Sequence, residues 1–457
     1  MPGEGGTPPR ARSSAGRDEI ESSTKVRKGS RTVKESGARV VMLVENEFPR
    51  DTRVRNEAFT LAAAGLRVSV IALRGKGEDS RASINGVSVY RVPRLTVFKK
   101  LPQRRRSPLG AVVNRIRVLV GYVSEYVYFT TACLFVSCRI AMKEGIDVVH
   151  AHNPPDTLFL VGAFHKLFGT KFVFDHHDLC PELYRSRYVA PSGLVTRGLM
   201  FCEHASVRLS DVLIATNESY RAIDMERHGI ASAKIFVVRN GPDLSRVRLT
   251  EPDPVLRSRA KVILAYLGAM NPQDGVDYLL RSLDRLRHTL NRFDFHCILI
   301  GDGDSLEELR ELAKELRLDD CITFTGFIPD DDMVRYLSTA DICLDPNPSS
   351  PLNDVSTWIK VMEYMALGKP VVSFDLKETR VSAGEAAAYV EPNNELEFAK
   401  MTAALMDDPA RRAQMAEVGR LRVHRELGWH VTSQNLLRAY ESLLDHPLPS
   451  IGEPALM

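Results

Sequence analysis

Short β-branched apolar runs alternate with helical segments along this chain, and the alternation is run through twice. That pattern leaves few folds open, because a strand without polar residues must be covered on both faces. Residues 40–44 (Val-Val-Met-Leu-Val) are such a strand. A helix is expected over 53–64, closed by Gly65 as C-cap, and the next strand over 68–73. Further strands fall at 147–150, 171–174, 212–215 and 235–238. A turn cluster, Asn240-Gly241-Pro242-Asp243, and a linker, Glu251-Pro252-Asp253-Pro254, interrupt the series. Strands then recur at 262–266, 295–300, 322–325, 342–344 and 371–374. The expected fold class is α/β, with two Rossmann-like doubly wound domains facing across a cleft lined by strand-end loops. The domains are expected over 38–250 and 251–446, between a tail of 1–37 too poor in apolar residues to fold and a loose Pro-rich end at 447–457.

Composition excludes several classes. A net charge of +3 over 457 residues points to no nucleic-acid partner. Seven cysteines form no CxxC pair and sit in apolar runs, so no zinc site or disulfide framework is expected, and a reduced cytoplasmic setting fits best. No apolar signal core follows Met1. Residues 118–138 have the length of a membrane span, but they lie within an alternating domain; a buried or interfacial helix is expected instead. Between Arg91 and Arg117 nine residues are basic and none acidic, which suits phosphates, an anionic membrane face, or a solvated loop.

The most informative stretch is Asn353-Asp354-Val355-Ser356-Thr357-Trp358-Ile359-Lys360-Val361-Met362-Glu363, followed by Gly368-Lys369-Pro370-Val371-Val372. Ser356 and Thr357 are expected N-caps, 361–367 a helix, Gly368 its stop and Pro370 the entry to a strand. A helix start at the mouth of a sheet offers free N–H groups to a diphosphate. Lys360 and Glu363, three apart, share a helix face, the cation suited to phosphate and the carboxylate to the two hydroxyls of a ribose.

This segment resembles the donor-binding signature of glycosyltransferase family 4, in which two glutamates separated by seven residues flank a helix start. Leu267-Gly268-Ala269, Gly301-Asp302-Gly303, Thr325-Gly326-Phe327, Ala340-Asp341-Ile342 and Asn240-Gly241-Pro242-Asp243 resemble other family segments in order and spacing. The resemblance implies a GT-B fold and a retaining, metal-independent transferase without a cofactor, whose co-substrate is a nucleotide diphosphate sugar. It implies an acceptor-side N-terminal domain and a donor-binding C-terminal one. Gly268, Gly301, Gly303, Phe327, Ser356, Thr357, Lys360 and Glu363 would line the donor, and His177, Asp354, Lys360 and Glu363 would carry catalysis. The acceptor, a glycan or lipid-linked glycan of cell-surface polysaccharide synthesis, implies a protein peripheral on a membrane. Two departures stand out. The expected first glutamate is Val355, with Asp354 beside it as the substitute. The places of the family's diphosphate-binding Arg and Lys read Ala269 and Asp274, which leaves Lys360 as the cation.

On the acceptor side, His176-His177-Asp178 and His150-Ala151-His152-Asn153 each follow a strand and so face the cleft. Asn153 and Asp156 are expected at the acceptor. Arg53 and Arg55 either bind an acceptor phosphate or pair with acids on their own helix. His150 and His152 resemble a metal pair, but no ligand cluster follows them in sequence. The rival readings are a GT-B protein that binds a sugar nucleotide without transfer, a GT-B epimerase, and an oxidoreductase, the last opposed by the lack of Gly-x-Gly-x-x-Gly after the first strand.

Overall fold

The computed structural model describes residues 37–95, 108–187, 191–444 and 446–449. The expected tail of 1–37, except Gly37, therefore lies outside the described residues, as do residues 96–107 of the basic run.

The first sheet has eight strands: β1 (Arg39–Glu47), β2 (Arg67–Leu73), β3 (Arg81–Ile84), β4 (Val87–Val92), β5 (Val148–His152), β6 (Lys171–His176), β7 (Val212–Ala215) and β8 (Ile235–Val237). Their order is β3-β4-β2-β1-β5-β6-β7-β8, parallel except for β3, which forms a hairpin with β4. Asn85 and Gly86, both at positive φ, make the tight turn between them. The second sheet is wholly parallel: β9 (Val262–Leu267), β10 (Phe295–Ile300), β11 (Ile322–Gly326), β12 (Ile342–Asp345), β13 (Val371–Phe374) and β14 (Ala387–Val390), ordered β11-β10-β9-β12-β13-β14. In both sheets the order reverses beside the first strand, and it is there that loops part to admit a ligand.

Each sheet has apolar layers on both faces, as unbroken β-branched strands require. On one face of the first sheet lies the helix Thr52–Ala63, started by Asp51, whose side chain accepts from the Val54 N–H. On the other lies the helix Pro108–Lys143, which takes up the apolar stretch of 118–138 and buries Phe129, Cys133 and Ile140 against the sheet. The last helix, Trp429–Leu444, departs from the expected division at 446. It crosses back to the first domain, burying Leu436, Leu437, Tyr440 and Leu443 beside the helix Thr52–Ala63, β7 and β8. Burial of such side chains is worth about 2 kcal/mol each, enough to outweigh proximity in sequence.

Candidate active site

Strands β5 and β6 end in His152 and His176, so the residues that follow form the rim of the cleft. Asp175, the penultimate residue of β6, is fully buried and organises that rim. Its Oδ1 and Oδ2 accept from Arg53 Nη2 and Nε, both at 2.6 Å. Oδ2 also faces His152 Nδ1 at 2.9 Å and His177 Nδ1 at 3.2 Å. Burial alone would lift the Asp175 carboxyl, yet Arg53 and the histidines hold it well below the usual range. The His177 ring is 16% exposed, and with Nδ1 held by Asp175 its Nε2 is the edge left for a ligand. Burial opposes its charge, but the Asp175 carboxylate prevails and raises its pKa.

Several expected contacts are spent inside. Arg53 does not reach an acceptor: besides Asp175 it donates to the Val238 carbonyl and to Asn240. Asn153, 1% exposed, accepts the N–H groups of His177 and Asp178 at 3.0 and 3.1 Å and donates to Asp156 Oδ1 at 2.9 Å. Asp156 is buried too, which pushes its carboxyl up to about 6. These two shape the loop that presents His177. Arg55 differs. It is half-buried, its Nη1 reaches the Pro49 carbonyl at 3.4 Å, and its Nη2 has no partner.

The structure supplies His150 and His152 with the neighbours that sequence order did not. Glu57, His150, His152 and Asp175 bring four possible ligand atoms within 4.8 Å of one another, all buried. A cation already stands among them, because Arg53 Nε lies 2.6 Å from Asp175 and 3.3 Å from Glu57. His150 Nδ1 meets the Tyr440 hydroxyl at 3.0 Å, tying the last helix to this cluster. Burial drives Glu57 toward its protonated form and His150 toward its neutral one.

Across the cleft the loop after β9 is held by two tyrosines. The Tyr266 hydroxyl donates to the Ala269 carbonyl at 2.7 Å, and the Tyr364 hydroxyl accepts from the Leu267 N–H at 2.7 Å. Gly268 N–H donates to the Ile300 carbonyl and Met270 N–H to that of Asp302, so this loop lies directly on the Gly301–Gly303 turn. Gly301, at φ +132°, rests on the Gly268 carbonyl with no space for a Cβ, and Gly303 likewise on Met270. The three expected donor glycines are therefore also the packing of two loops. Phe327 is exposed at the next strand end, with the Arg50 guanidinium from the first domain 5.5 Å from its ring centroid.

The helix Ile359–Ala366 starts at this mouth, two residues earlier than expected. Ser356 and Thr357 do not cap it; its N-cap is Trp358, which makes no side-chain capping bond. Ser356 Oγ instead donates to the Leu352 carbonyl and meets the Tyr220 hydroxyl, while Thr357 Oγ1 accepts from Asn217 Nδ2 at 2.9 Å. Asn217 and Tyr220 of the first domain thus grip the segment leading into this helix, and Ser219 donates at 2.6 Å to the buried Glu378, which also accepts from Thr357 Oγ1 at 3.3 Å. Sequence reading missed these three, although Asn217 carries an N-cap signal for the helix Glu218–His228. Asp354, in the short turn Asn353–Val355, is half-buried and accepts from Ser349 at 3.2 Å.

Lys360 is 5% exposed, its Nζ 3.2 Å from Asp345 Oδ1 and 4.7 Å from the Tyr266 ring centroid. Burial raises the Asp274 carboxyl, and Lys360 is the largest influence opposing it. The acid at the family's lysine position thus faces a lysine from another element. Glu363 has its carboxyl pushed up to about 7, chiefly by burial, with Arg246 and Arg55 pulling it down and Asp330 adding to the rise. Arg55, from the opposite domain, thus acts on Glu363 electrostatically across the cleft, and Lys360 and Glu363 lie one turn apart on one helix.

Residues 51–241 match the family described as "Glycosyl transferase 4-like domain", and residues 261–408 that described as "Glycosyl transferases group 1". The chain is 26% identical over 301 residues to the glycogen synthase of Mycobacterium tuberculosis, covering 64% of this chain and 68% of that one. It is 23% identical over 352 residues to the 2-deoxystreptamine glucosyltransferase of Streptomyces kanamyceticus, covering 74% and 88%. Sucrose-phosphate synthase from Thermosynechococcus elongatus superposes with a TM-score of 0.66 at 18% identity, over 89% of this chain and 99% of that one. Anabaena HepE in complex with UDP-glucose superposes at 0.64 with 15% identity, over 89% and 99%. At such identities the superpositions speak to fold alone.

Proposed function

The chain belongs to the family 4 glycosyltransferases of GT-B fold, and from that premise we propose that it moves a sugar with retention from a nucleotide diphosphate sugar to a glycan or lipid-linked acceptor in cell-surface polysaccharide synthesis. The observation that carries this reading is the helix Ile359–Ala366, which brings Lys360, Glu363 and an uncapped N-terminus to one strand-end mouth. Glu363 accepts the ribose hydroxyls, and the helix start and Lys360 meet the diphosphate. Arg55, with Nη2 unpartnered, adds a second cation from the opposite domain. Anabaena HepE, which shares the fold, was solved in complex with UDP-glucose, a sugar nucleotide of the class proposed as donor.

In the proposed reaction the bond between the sugar's anomeric carbon and the diphosphate oxygen breaks as an acceptor oxygen bonds on the same face. The acceptor's proton passes to the departing phosphate oxygen, and the developing charge is stabilised electrostatically. His177 Nε2 contacts the transferred sugar, and Asp354 stands in for the missing first glutamate. Ala269 and Asp274 favour the rival reading, binding without transfer, because they remove two cations from the diphosphate. Incubating the purified protein with a panel of sugar nucleotides, with and without a chelator, separates these readings. Slow hydrolysis of one donor despite the chelator, with the α-anomer released from an α-linked donor, is the expected outcome. Binding without turnover would favour the rival, and activity restored only by magnesium or manganese would refute metal independence.

A further inference from the structure

The helix Pro108–Lys143 carries an outward stripe that nothing in the chain covers among the described residues. Val120, Val123, Val127, Phe135 and Met142 recur at intervals of three, four, eight and seven, on one helical face, and each is between 50% and 79% exposed. Only Thr131 and Arg139 interrupt them, and the Arg139 guanidinium lies 4.4 Å from the Phe135 ring centroid. The helix Phe159–Lys166 packs between this one and the helix Gly193–Leu209, and these neighbours add exposed Leu160 and Phe201. A soluble surface scatters such residues singly; a continuous stripe of them marks a contact.

The helix outreaches the sheet it covers. Its C-terminal end turns at Gly145 into β5 beside the start of β1, where Asp147 N–H donates to the Arg39 carbonyl. At the other end of β1, burial first and then the Glu125 charge push the Glu45 carboxyl up to about 8. At 36 residues the helix is about 54 Å long, against about 30 Å for the nine residues of β1, so its first turns extend past the strand ends, on the cleft side. Charge selects the occupant. From Arg91 to Lys143 the sequence holds eleven basic residues and one acid, Glu125. Among the described residues no helix is long and apolar enough to cross a membrane, so an apolar stripe that carries Arg139 and ends beside Lys143, in a stretch of sequence so rich in cations, is suited to lying in a headgroup layer.

We propose that this stripe is the face by which the protein lies on an anionic lipid bilayer, the helix parallel to the surface and its first turns beside the cleft. The proposal deepens the lipid-linked acceptor reading, and its evidence is separate from that for donor binding. The test is sedimentation of the full chain with vesicles of phosphatidylcholine alone and of phosphatidylcholine with phosphatidylglycerol in equal parts. The mixed vesicles should carry the protein down. Val127→Asp with Phe135→Asp, both on exposed positions, should lower that partition by at least about tenfold, with the circular dichroism and the donor hydrolysis in solution unchanged. Equal binding by the double variant, equal affinity for the neutral vesicles, or no vesicle binding overturns the proposal. So does light scattering that shows a dimer which the double variant dissolves, since a second copy would then cover the stripe. Vesicle binding without any donor hydrolysis would instead count against the transferase reading alone.

Discussion

The two sides of the cleft handle charge in opposite ways. On the first domain, Asp175 gathers Arg53, His152 and His177 around one buried carboxylate, with Glu57 beside them. On the second, the mouth is lined largely by backbone, with glycine turns stacked on one another and one buried lysine beside one buried aspartate. Removing Asp175 strands several buried charges at once, whereas the single Lys360–Asp345 pair can be neutralised together, which chiefly removes what the cation offers a ligand. The first side should therefore answer mutation in stability and the second in turnover.

The largest effect expected from this contrast is at Asp175. Asp175→Ala strands Arg53 in the interior and should cost about 3–5 kcal/mol, read as a lowered midpoint in urea. A midpoint near wild type would mean that the network merely tolerates its charges. Next is Lys360. Loss of its charge from the breaking bond should lower kcat by about 100-fold. Because Lys360 is buried against Asp345, a plain truncation confounds stability with rate. Lys360→Met combined with Asp345→Asn keeps the packing without a lone buried carboxylate, and should show the loss in kcat with a near-native urea midpoint. Turnover close to wild type would move the role to Arg55 and would break the contrast, since the essential cation would then sit on the first domain.

The smallest effect is a pH dependence at Glu363. Its folded pKa of about 7 lies above its ordinary 4.5. The folded state thus keeps a proton that the unfolded chain has lost, a stabilising contribution present below 4.5 and fading as pH rises through about 7. Donor binding has the opposite sign, because ribose hydroxyls need the ionised carboxylate. Nucleotide affinity measured by calorimetry should rise with pH up to about 7 and fall by up to about tenfold per unit below it. Glu363→Gln should flatten that profile and weaken binding; an unchanged profile would place the ribose elsewhere.

How much was legible depended on distance along the chain. Strands such as β1, β7 and β9 were readable because burial on both faces writes itself as an apolar run. That Lys360 and Glu363 lie on one helix was readable from their spacing of three, but the acid that holds Lys360, Asp345, lies on another element. The hairpin of β3 and β4 was announced by Asn85-Gly86 between alternating residues, yet it yields to a reading that expects helices between strands. Arg53 was placed only in part: an acid on its own helix, Glu57, was one of the two readings, but the carboxylate that accepts from its Nε and Nη2, Asp175, is 122 residues away. Ser356 and Thr357 have good capping chemistry, but the first domain's Asn217 and Tyr220 engage them, and no local rule anticipates that.

The return of the helix Trp429–Leu444 has a mechanical consequence. The chain passes between the domains twice, once after β8 and once before Trp429, and the passages touch: Trp429 N–H donates to the Pro242 carbonyl at 3.0 Å, and Gly241 lies against Leu427 and Gly428. A single covalent tether would let the halves swivel as well as open. Two tethers bound side by side resist twisting while still allowing a bend, so they favour an opening like that of a book about its spine, with the helix Ile359–Ala366 on one page and His177 on the other.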